Sequence, residues 1–541
     1  MRSGRRQRAR ESRRPKSGPA ATHRRPRSLG LVFLVPLVSA IGLAVVAFVP
    51  RVQSNQILAR SFWTAAIALL VWHVILYLRV TRTSAAPSLP IEVRPQHYLQ
   101  AAVQLAVFAY WGYFWRPVYD HLWLLLAQVM FAYGFDMLLS WSRRGAYTLG
   151  FGPLPIIFST NLFLWFRDDW FYLQFVMIAI GFMGKEFVRW NRDGRRVHIF
   201  NPSAFSLALF SLALIGTSTT DLTWGQDIAT TLTLAPRIYG FLFLIGLVVM
   251  YFFSITLIAG AAAIVLFGLS ATYSIATGVP YFIDSEIPTA VFLGLHLLVT
   301  DPSTSPRTPV GKLVFGVLYG VGVFGLYSLL GAAGVPTFYD KLLCVPLLNL
   351  SVRGIDRFVH SLRDRWVGRW SLDRLPARAN LAFMAVWVVF FLAMTAMGKT
   401  DGTHRGDTIP FWEQACADGR LHGCDRLMQI EFSYCSDNSG WACNELGRDY
   451  WEGTVTAADP ELAVRYFSRA CELRFRAGCL NLLEPGRLRS ANPRVLDLRL
   501  LLREGGANLM EMSERELHAR ACEHGWAFAC EDTSTAGTYA E

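Results

Sequence analysis

Eight of the nine cysteines fall into four copies of one spacing, Cys-x7-Cys: Cys416 with Cys424, Cys435 with Cys443, Cys471 with Cys479, and Cys522 with Cys530. On a continuous helix, residues eight apart are separated by about 12 Å, whereas a disulfide needs Cα atoms within about 7 Å. The chain must therefore reverse between the members of each pair. This predicts helix–turn–helix units stapled in an oxidising compartment, so the tail that carries them is expected outside the cytoplasm.

Ahead of that tail the chain is apolar. It is 53% hydrophobic overall, with a mean hydropathy of +0.31, well away from an ordinary soluble protein. Stretches near span length begin at Leu31, Phe62, Leu99, His121, Pro155, Trp170, Pro202, Ile238, Ile255, Ile287, Leu313 and Leu381. A shorter one, Tyr339 to Leu350, carries Asp340 and Lys341 and reads as a re-entrant or packed segment. At about 20 apolar residues per crossing, hydropathy predicts about eleven to thirteen spans.

The formal charge of +12 is concentrated at the start, where residues 1–28 hold eleven Lys or Arg against the single Glu11. Such a run suits nucleic acid or anionic lipid, but directly before a first span it is expected to hold the N-terminus in the cytoplasm. No nucleic-acid partner is predicted. Basic connections (Arg79–Arg82, Arg143–Arg144, Lys185–Arg196, Arg307–Lys312, Arg353–Arg378) alternate with connections poor in Lys and Arg. An odd number of spans then places everything after Lys399 outside, in agreement with the cysteines.

The expected organisation is a disordered basic tail (1–29), a polytopic membrane domain (30–397), a polar linker (398–410) and a repeat domain (411–536). The fold class is all-α: an internally duplicated membrane domain followed by a disulfide-stapled helical solenoid. Two connections in the membrane domain look alike, His198-Ile-Phe-Asn201-Pro202-Ser203 and Thr300-Asp301-Pro302-Ser303-Thr304-Ser305-Pro306. Asx before Pro suits a helix start, because the side chain caps free N–H groups and Pro tolerates the first turn. Each is thus expected to open a helix, and paired breaks point to helix N-termini aimed at a shared site. Ordinary loop-to-helix junctions explain them equally well.

These two motifs, with Gly311 and Phe315-Gly316, resemble the membrane subunit shared by the Rnf and Nqr respiratory complexes, known as Rnf D and Nqr B. The similarity covers about residues 95–350 and is closer to a branch found in enediyne biosynthetic clusters. It implies a two-repeat helical domain, similar to urea-transporter folds, that binds flavin, passes electrons and works with other electron-transport subunits. Family members carry FMN linked through phosphate to a Thr in a Ser/Thr-Gly-Ala-Thr setting. The matching loop is Gly225-Gln-Asp227-Ile228-Ala229-Thr230-Thr231-Leu232, which makes Thr230 the candidate acceptor, with Asp227 and Ile228 replacing the hydroxyl residue and the glycine. Asn201, Pro202, His198 and Asp301 are the matching motif residues. Arg195 and Arg196, with Lys185, Arg189 and Arg192, are candidates to neutralise a flavin or nucleotide phosphate near Asn201, or plain positive-inside residues.

His73, Asp136, Glu186 and His296 lie in or at the ends of apolar stretches, where ionisable groups are costly and often functional; packed residues bonded to a neighbouring helix are the competing explanation. Gly320-Val-Gly322-Val-Phe-Gly325 satisfies a dinucleotide pattern but sits inside an apolar span without a preceding strand. Gly316 and Gly320 are better explained by close helix packing. No zinc or iron–sulfur spacing is present among the cysteines, and Cys344 is expected in the core.

In the tail, Leu446-Gly-Arg-Asp-Tyr450-Trp-Glu-Gly453 through Cys479 looks like a Sel-one-like repeat, a relative of the tetratricopeptide repeat. Cys435 to Cys471 spans 36 residues, near one repeat, while the flanking intervals of 19 and 51 are irregular. The resemblance implies a protein-docking surface. Three functions compete: a flavin- or quinone-linked membrane redox subunit with a docking domain, a non-redox envelope scaffold, and a solute channel or transporter.

Overall fold

The computed structural model describes residues 29–83, 87–192, 194–283, 285–366, 377–400, 404–502 and 506–535. The basic tail, residues 1–28, lies outside them. The described secondary structure is helical apart from one short hairpin and isolated bridges. It opens with α1 (Leu29–Val46), α2 (Pro50–Gln53) and α3 (Gln56–Thr83).

Two sets of helices follow. The first is α4 (Pro95–Phe114), the short α5 (Pro117–Asp120), α6 (Leu122–Arg144), α7 (Pro153–Asn161), α8 (Tyr172–Phe187) and α9 (Pro202–Gly216). Between α8 and α9, β1 (Arg189–Arg192) pairs antiparallel with β2 (Arg195–His198), Arg189 opposite His198. After α10 (Gly225–Thr231), the second set is α11 (Ile238–Phe253), α12 (Thr256–Thr277), α13 (Thr289–Leu297), α14 (Pro309–Ala332) and α15 (Asp340–Trp366). The long α16 (Ala377–Ala396) then packs on α11 and α12.

The packing order occurs twice. α4 lies on α7, α6 on α7 and α8, and α8 on α9; likewise α11 lies on α13, α12 on α13 and α14, and α14 on α15. The halves join where α4 meets α11 and α9 meets α15. The equivalent helices α7 and α13 have only nine residues each. That is about 13 Å of rise, under half a bilayer core, and the chain continues without helix. α7 starts beside the basic hairpin end, while α13 starts at the opposite end, so the two halves run in opposite senses. Small residues close the contact of α12 with α14: a Cβ on Gly316 or Gly320 would collide with the carbonyl oxygens of Ile258 and Ala262.

Long unbroken helices are fewer than the apolar stretches read from hydropathy. Among the described residues, five helices (α3, α6, α12, α14 and most of α16) are long and apolar enough to cross a membrane, or six if Gly225–Leu234 and Ile238–Phe253, bent by 102°, count as one. Hydropathy sums apolar residues whether or not one unbroken helix carries them. The stretches from Pro155 and Ile287 resolve into the half-length α7 and α13.

The C-terminal region comprises α17 (Ile409–Ala417), α18 (Gly423–Ser436), α19 (Gly440–Glu452), α20 (Pro460–Glu472), α21 (Arg476–Leu483), α22 (Val495–Leu502), α23 (Gly506–Glu511), α24 (Glu514–Glu523) and α25 (Ala527–Thr535). All four expected cysteine pairs are bridged. Cys416 on α17 joins Cys424 on α18 with a Cα separation of 4.4 Å, and Cys435 on α18 joins Cys443 on α19 at 4.7 Å. Cys471 on α20 joins Cys479 on α21 at 4.5 Å, and Cys522 on α24 joins Cys530 on α25 at 4.7 Å. Each first cysteine lies in the last turn of one helix. Its partner (Cys424, Cys443, Cys479 or Cys530) lies in the first turn of the next. Three residues after the first cysteine, the backbone is left-handed every time: Gly419, Asn438, Arg474 and Gly525 have φ of 66, 73, 60 and 91°. One turn geometry is therefore used four times. In the first and third staples the residue before the second cysteine must be small, because a Cβ on Gly423 or Gly478 would meet Ala415 or Ala470.

Candidate functional site

The two Asx-Pro motifs lie about a hundred residues apart in sequence and meet at the hairpin end of the membrane body. Asn201 caps α9, its Oδ1 accepting from the Ser203 N–H at 3.1 Å and the Ser203 hydroxyl at 2.8 Å. Its Nδ2 donates to Leu298 O at the end of α13, and its N–H donates to Oδ1 of Asn349 on α15, both at 3.1 Å. Asn349 in turn donates to Thr304 O at 3.1 Å. The Ser203 hydroxyl, one residue beyond Pro202, lies 3.3 Å from that of Ser159 on α7. Asn201 thus gathers both broken helices and α15 at one point.

Asp301 does not open a helix. Its carboxylate accepts from the Ser303 N–H and hydroxyl (2.9 and 2.6 Å) and from the Thr304 hydroxyl (3.2 Å), forming a capped turn. α14 begins only at Pro309, where Thr308 Oγ1 accepts from the Gly311 N–H at 3.0 Å. An Asx side chain satisfies a turn as readily as a helix start, and Ser303-Thr304 supplied the donors. His198 joins this turn, its Nε2 lying 2.8 Å from the Ser303 hydroxyl and 3.8 Å from Asp301 Oδ2.

Most of the candidate phosphate-binding cations are already engaged. Lys185 pairs with Asp136 at 3.3 Å and Arg189 with Glu186 at 2.9 Å. Arg192, 7% exposed, donates twice to Ser305 O and pairs with Asp356 at 2.8 Å. Arg196 is exposed on β2, and the Arg195 side chain lies outside the described residues. The node is a polar lock that joins β1, β2, α7, α9, α13 and α15, and it commits Lys185, Arg189 and Arg192 to partners within the chain. Asn349, Arg192 and Asp356 carry much of it, and sequence patterns gave Asn349 and Asp356 no role. A lone Asn within the apolar Leu347–Leu350 run is the signal that could have found the first.

Asp136 and Glu186 are therefore ion-paired packing residues. His296 is similar: its ring lies 2.8 Å from Phe292 O and packs on Phe292 and Trp387. His73 packs edge-on against Phe33. Cys344 is buried.

Thr230 sits at the opposite end, on α10, beyond the whole length of α9. It is exposed, and its hydroxyl donates to Gln226 O and Asp227 O at 3.1 and 3.2 Å. The surroundings do not suit a flavin phosphoester. The Asp227 carboxylate lies one turn away, and the nearby Arg167 is shared between it (3.8 Å) and the Trp224 ring (4.2 Å). A phosphate here would meet like charge with its counter-ion already committed. The neighbouring rings are packed on one another, His121 on Trp165 at 4.7 Å and Trp165 on Trp115 at 6.1 Å. The cavity walled by Phe108, His121, Gln128, Asn161 and Trp165 measures about 10 Å³. That is room for one water rather than a ring system.

The C-terminal region grips this same end. Arg420 and Arg426 donate to Gly278 O and Tyr281 O, both at 3.4 Å, and His404 Nδ1 lies 3.0 Å from Ile283 O. Lys399 pairs with the buried Glu286 at 2.9 Å. The C-terminal region also carries an open groove of about 310 Å³ between α18 and α20, lined by Phe432, Leu462, Tyr466, Arg465 and Arg469. Among the described residues no group of three or more His, Cys, Asp or Glu is placed to hold a metal ion.

No family model, curated protein or solved structure matches the chain.

Proposed function

We propose that the chain is a membrane subunit of a multi-component electron-transport system resembling Rnf D and Nqr B, and that it recruits a protein partner outside the cytoplasm through its C-terminal domain. In this reading it lies in a bacterial inner membrane, with the hairpin end facing the cytoplasm and the stapled domain in the periplasm. The observation that carries it is the convergence of the Asn201 and Asp301 motifs. The segments that carry the resemblance are distant in sequence and share one node, as parts of a single working core would. The alternation of basic connections and the four disulfides support the orientation. The groove beside Phe432, apolar with two arginines on its rim, suits an acidic segment bearing an aromatic or aliphatic anchor.

The chain's own side chains offer no suitable redox centre, so electrons would need a bound cofactor. Because Thr230 is poorly set for a flavin ester, no electron step is assigned to it. The same misfit favours a second reading, a non-redox envelope scaffold whose membrane body anchors and organises the docking domain.

Purification in mild detergent with its partners, an absorption spectrum and a denaturing gel under ultraviolet light separate the two. The redox proposal expects a chromophore in the native complex that leaves the band on denaturation. A colourless, chromophore-free complex would contradict it and favour the scaffold. In-band fluorescence lost in Thr230→Ala would instead restore a covalent flavin and overturn the misfit.

A further inference from the structure

The segment between α12 and α13, residues 278–288, is held from two sides: the Tyr281 ring stacks on Phe324 of α14 at 3.7 Å and its hydroxyl donates to Phe324 O, while the C-terminal domain takes up several of its carbonyls. The carbonyls of Gly278 and Tyr281 accept from Arg420 and Arg426, and that of Ile283 faces His404 Nδ1. Val279 belongs to the apolar core of the C-terminal domain rather than to that of the membrane body. Glu286 is fastened on both oxygens, by Lys399 at 2.9 Å and by the Ser270 hydroxyl at 2.8 Å. Gly406 packs so closely on this segment that a Cβ there would collide with Ile283 O and crowd the Pro280 ring. The Arg426 guanidinium also lies over the Tyr327 ring of α14 at 5.1 Å.

This segment runs directly into α13. Tyr239 holds its end through Ile287 O at 2.7 Å, and beyond the nine residues of α13 Leu298 O accepts from Asn201 Nδ2 at 3.1 Å. A half-helix of this length is a short, stiff strut of about 13 Å. One end is set jointly by Tyr239 and by the C-terminal domain's hold on residues 278–283, and the other by the Asn201 node. Around the strut the packing is tight: a Cβ on Gly246 would overlap the His296 ring, so α13 has little freedom to absorb a displacement locally. Packed elements with discrete contacts pass such shifts on rather than damping them.

We propose that the C-terminal domain is a clasp on the second broken helix, and that engaging or releasing it changes the rigidity of the Asn201 node at the far end. A partner that binds the domain would then be felt across the membrane body without touching it, and by reciprocity the node would bias the domain. The relay stands apart from the redox proposal, because it rests only on contacts within the chain.

Gly406→Ala supplies a wedge aimed at the clasp, and hydrogen exchange of the full-length protein in detergent reads both ends. The relay expects exchange to rise by about tenfold or more in residues 278–288 and also in 198–205 and 298–305, with α3 unchanged. Faster exchange at 278–288 alone would overturn the relay, and no change at either place would overturn the clasp. If the variant fails to fold, the wild-type protein reduced with dithiothreitol releases the clasp from the other side. It is read at the same peptides with the same two contradicting results.

Discussion

At the residue scale, Asn201 ties together more elements than any other candidate residue. It caps α9, joins α9 to α15 through Asn349 and reaches the end of α13 through Leu298 O. Replacing it by Ala removes a cap, typically worth about 1 kcal/mol, and orphans a buried carbonyl at a further cost of about 1–2 kcal/mol. Asn201→Ala should therefore lower membrane-domain stability by about 2–3 kcal/mol, read as a clear drop in the melting temperature in detergent. Asn201→Asp keeps the cap but loses the Nδ2 donor, and it should fall between wild type and Asn201→Ala. A change within error for Asn201→Ala would mean that the node is incidental packing. The importance of this position was legible in the sequence, because Asn-Pro has a local mechanism. Its partners were not, because Asn349 and Leu298 are brought to it only by the duplicated packing.

At the scale of elements, the helix–turn–helix staples were the most readable feature, since covalent geometry leaves eight-apart cysteines few solutions. The shared left-handed residue was not: Arg474 and Asn438 take a conformation that only the neighbouring bridge and turn impose. Apolar length and helix length part company at the breaks that make α7 and α13 interesting, so a count of long unbroken helices is smaller than a count of apolar stretches. The hairpin of β1 and β2 was also invisible, because its basic residues read as a loop.

A pH response belongs to the packing of α18 on α19. Glu431, 2% exposed, and Asp449 present Oε2 and Oδ2 to the interior with no donor, a conflict that one proton between them resolves. Burial, then the neighbouring carboxylates, raises Glu431 well above its ordinary range; burial pushes Asp449 up to about 6 and raises Glu445. Glu413 from α17, with Arg448 and Glu452 from α19, completes the charged surroundings. In the unfolded chain these acids titrate near 4, so above that pH the native state holds protons that the unfolded state has lost. Stability is thereby lost as pH rises through about 4–6 and beyond. The C-terminal domain should melt at progressively lower temperature between about pH 5 and pH 8, and Glu431→Gln should flatten that slope. A melting temperature that climbs over this range would refute the shared-proton arrangement.

At the scale of the whole molecule, two oppositely directed helical halves carry a basic hairpin at one end and a disulfide-stapled domain clasped to the other. The fold class follows from the sequence; the inversion of the halves, the crossing of both broken helices at Asn201 and the clasp emerge only in three dimensions. Docking outside the cytoplasm and signalling across the membrane body both require those ends to face opposite compartments. Arg196 on the hairpin is exposed, the eight tail cysteines are bridged and Cys344 is buried, so Arg196→Cys provides a single reactive thiol. An impermeant maleimide should label it in inverted membrane vesicles and not in spheroplasts, while external protease should release the C-terminal domain only from spheroplasts. Labelling and cleavage from the same side would contradict the architecture as a transmembrane one and remove both the docking proposal and the relay.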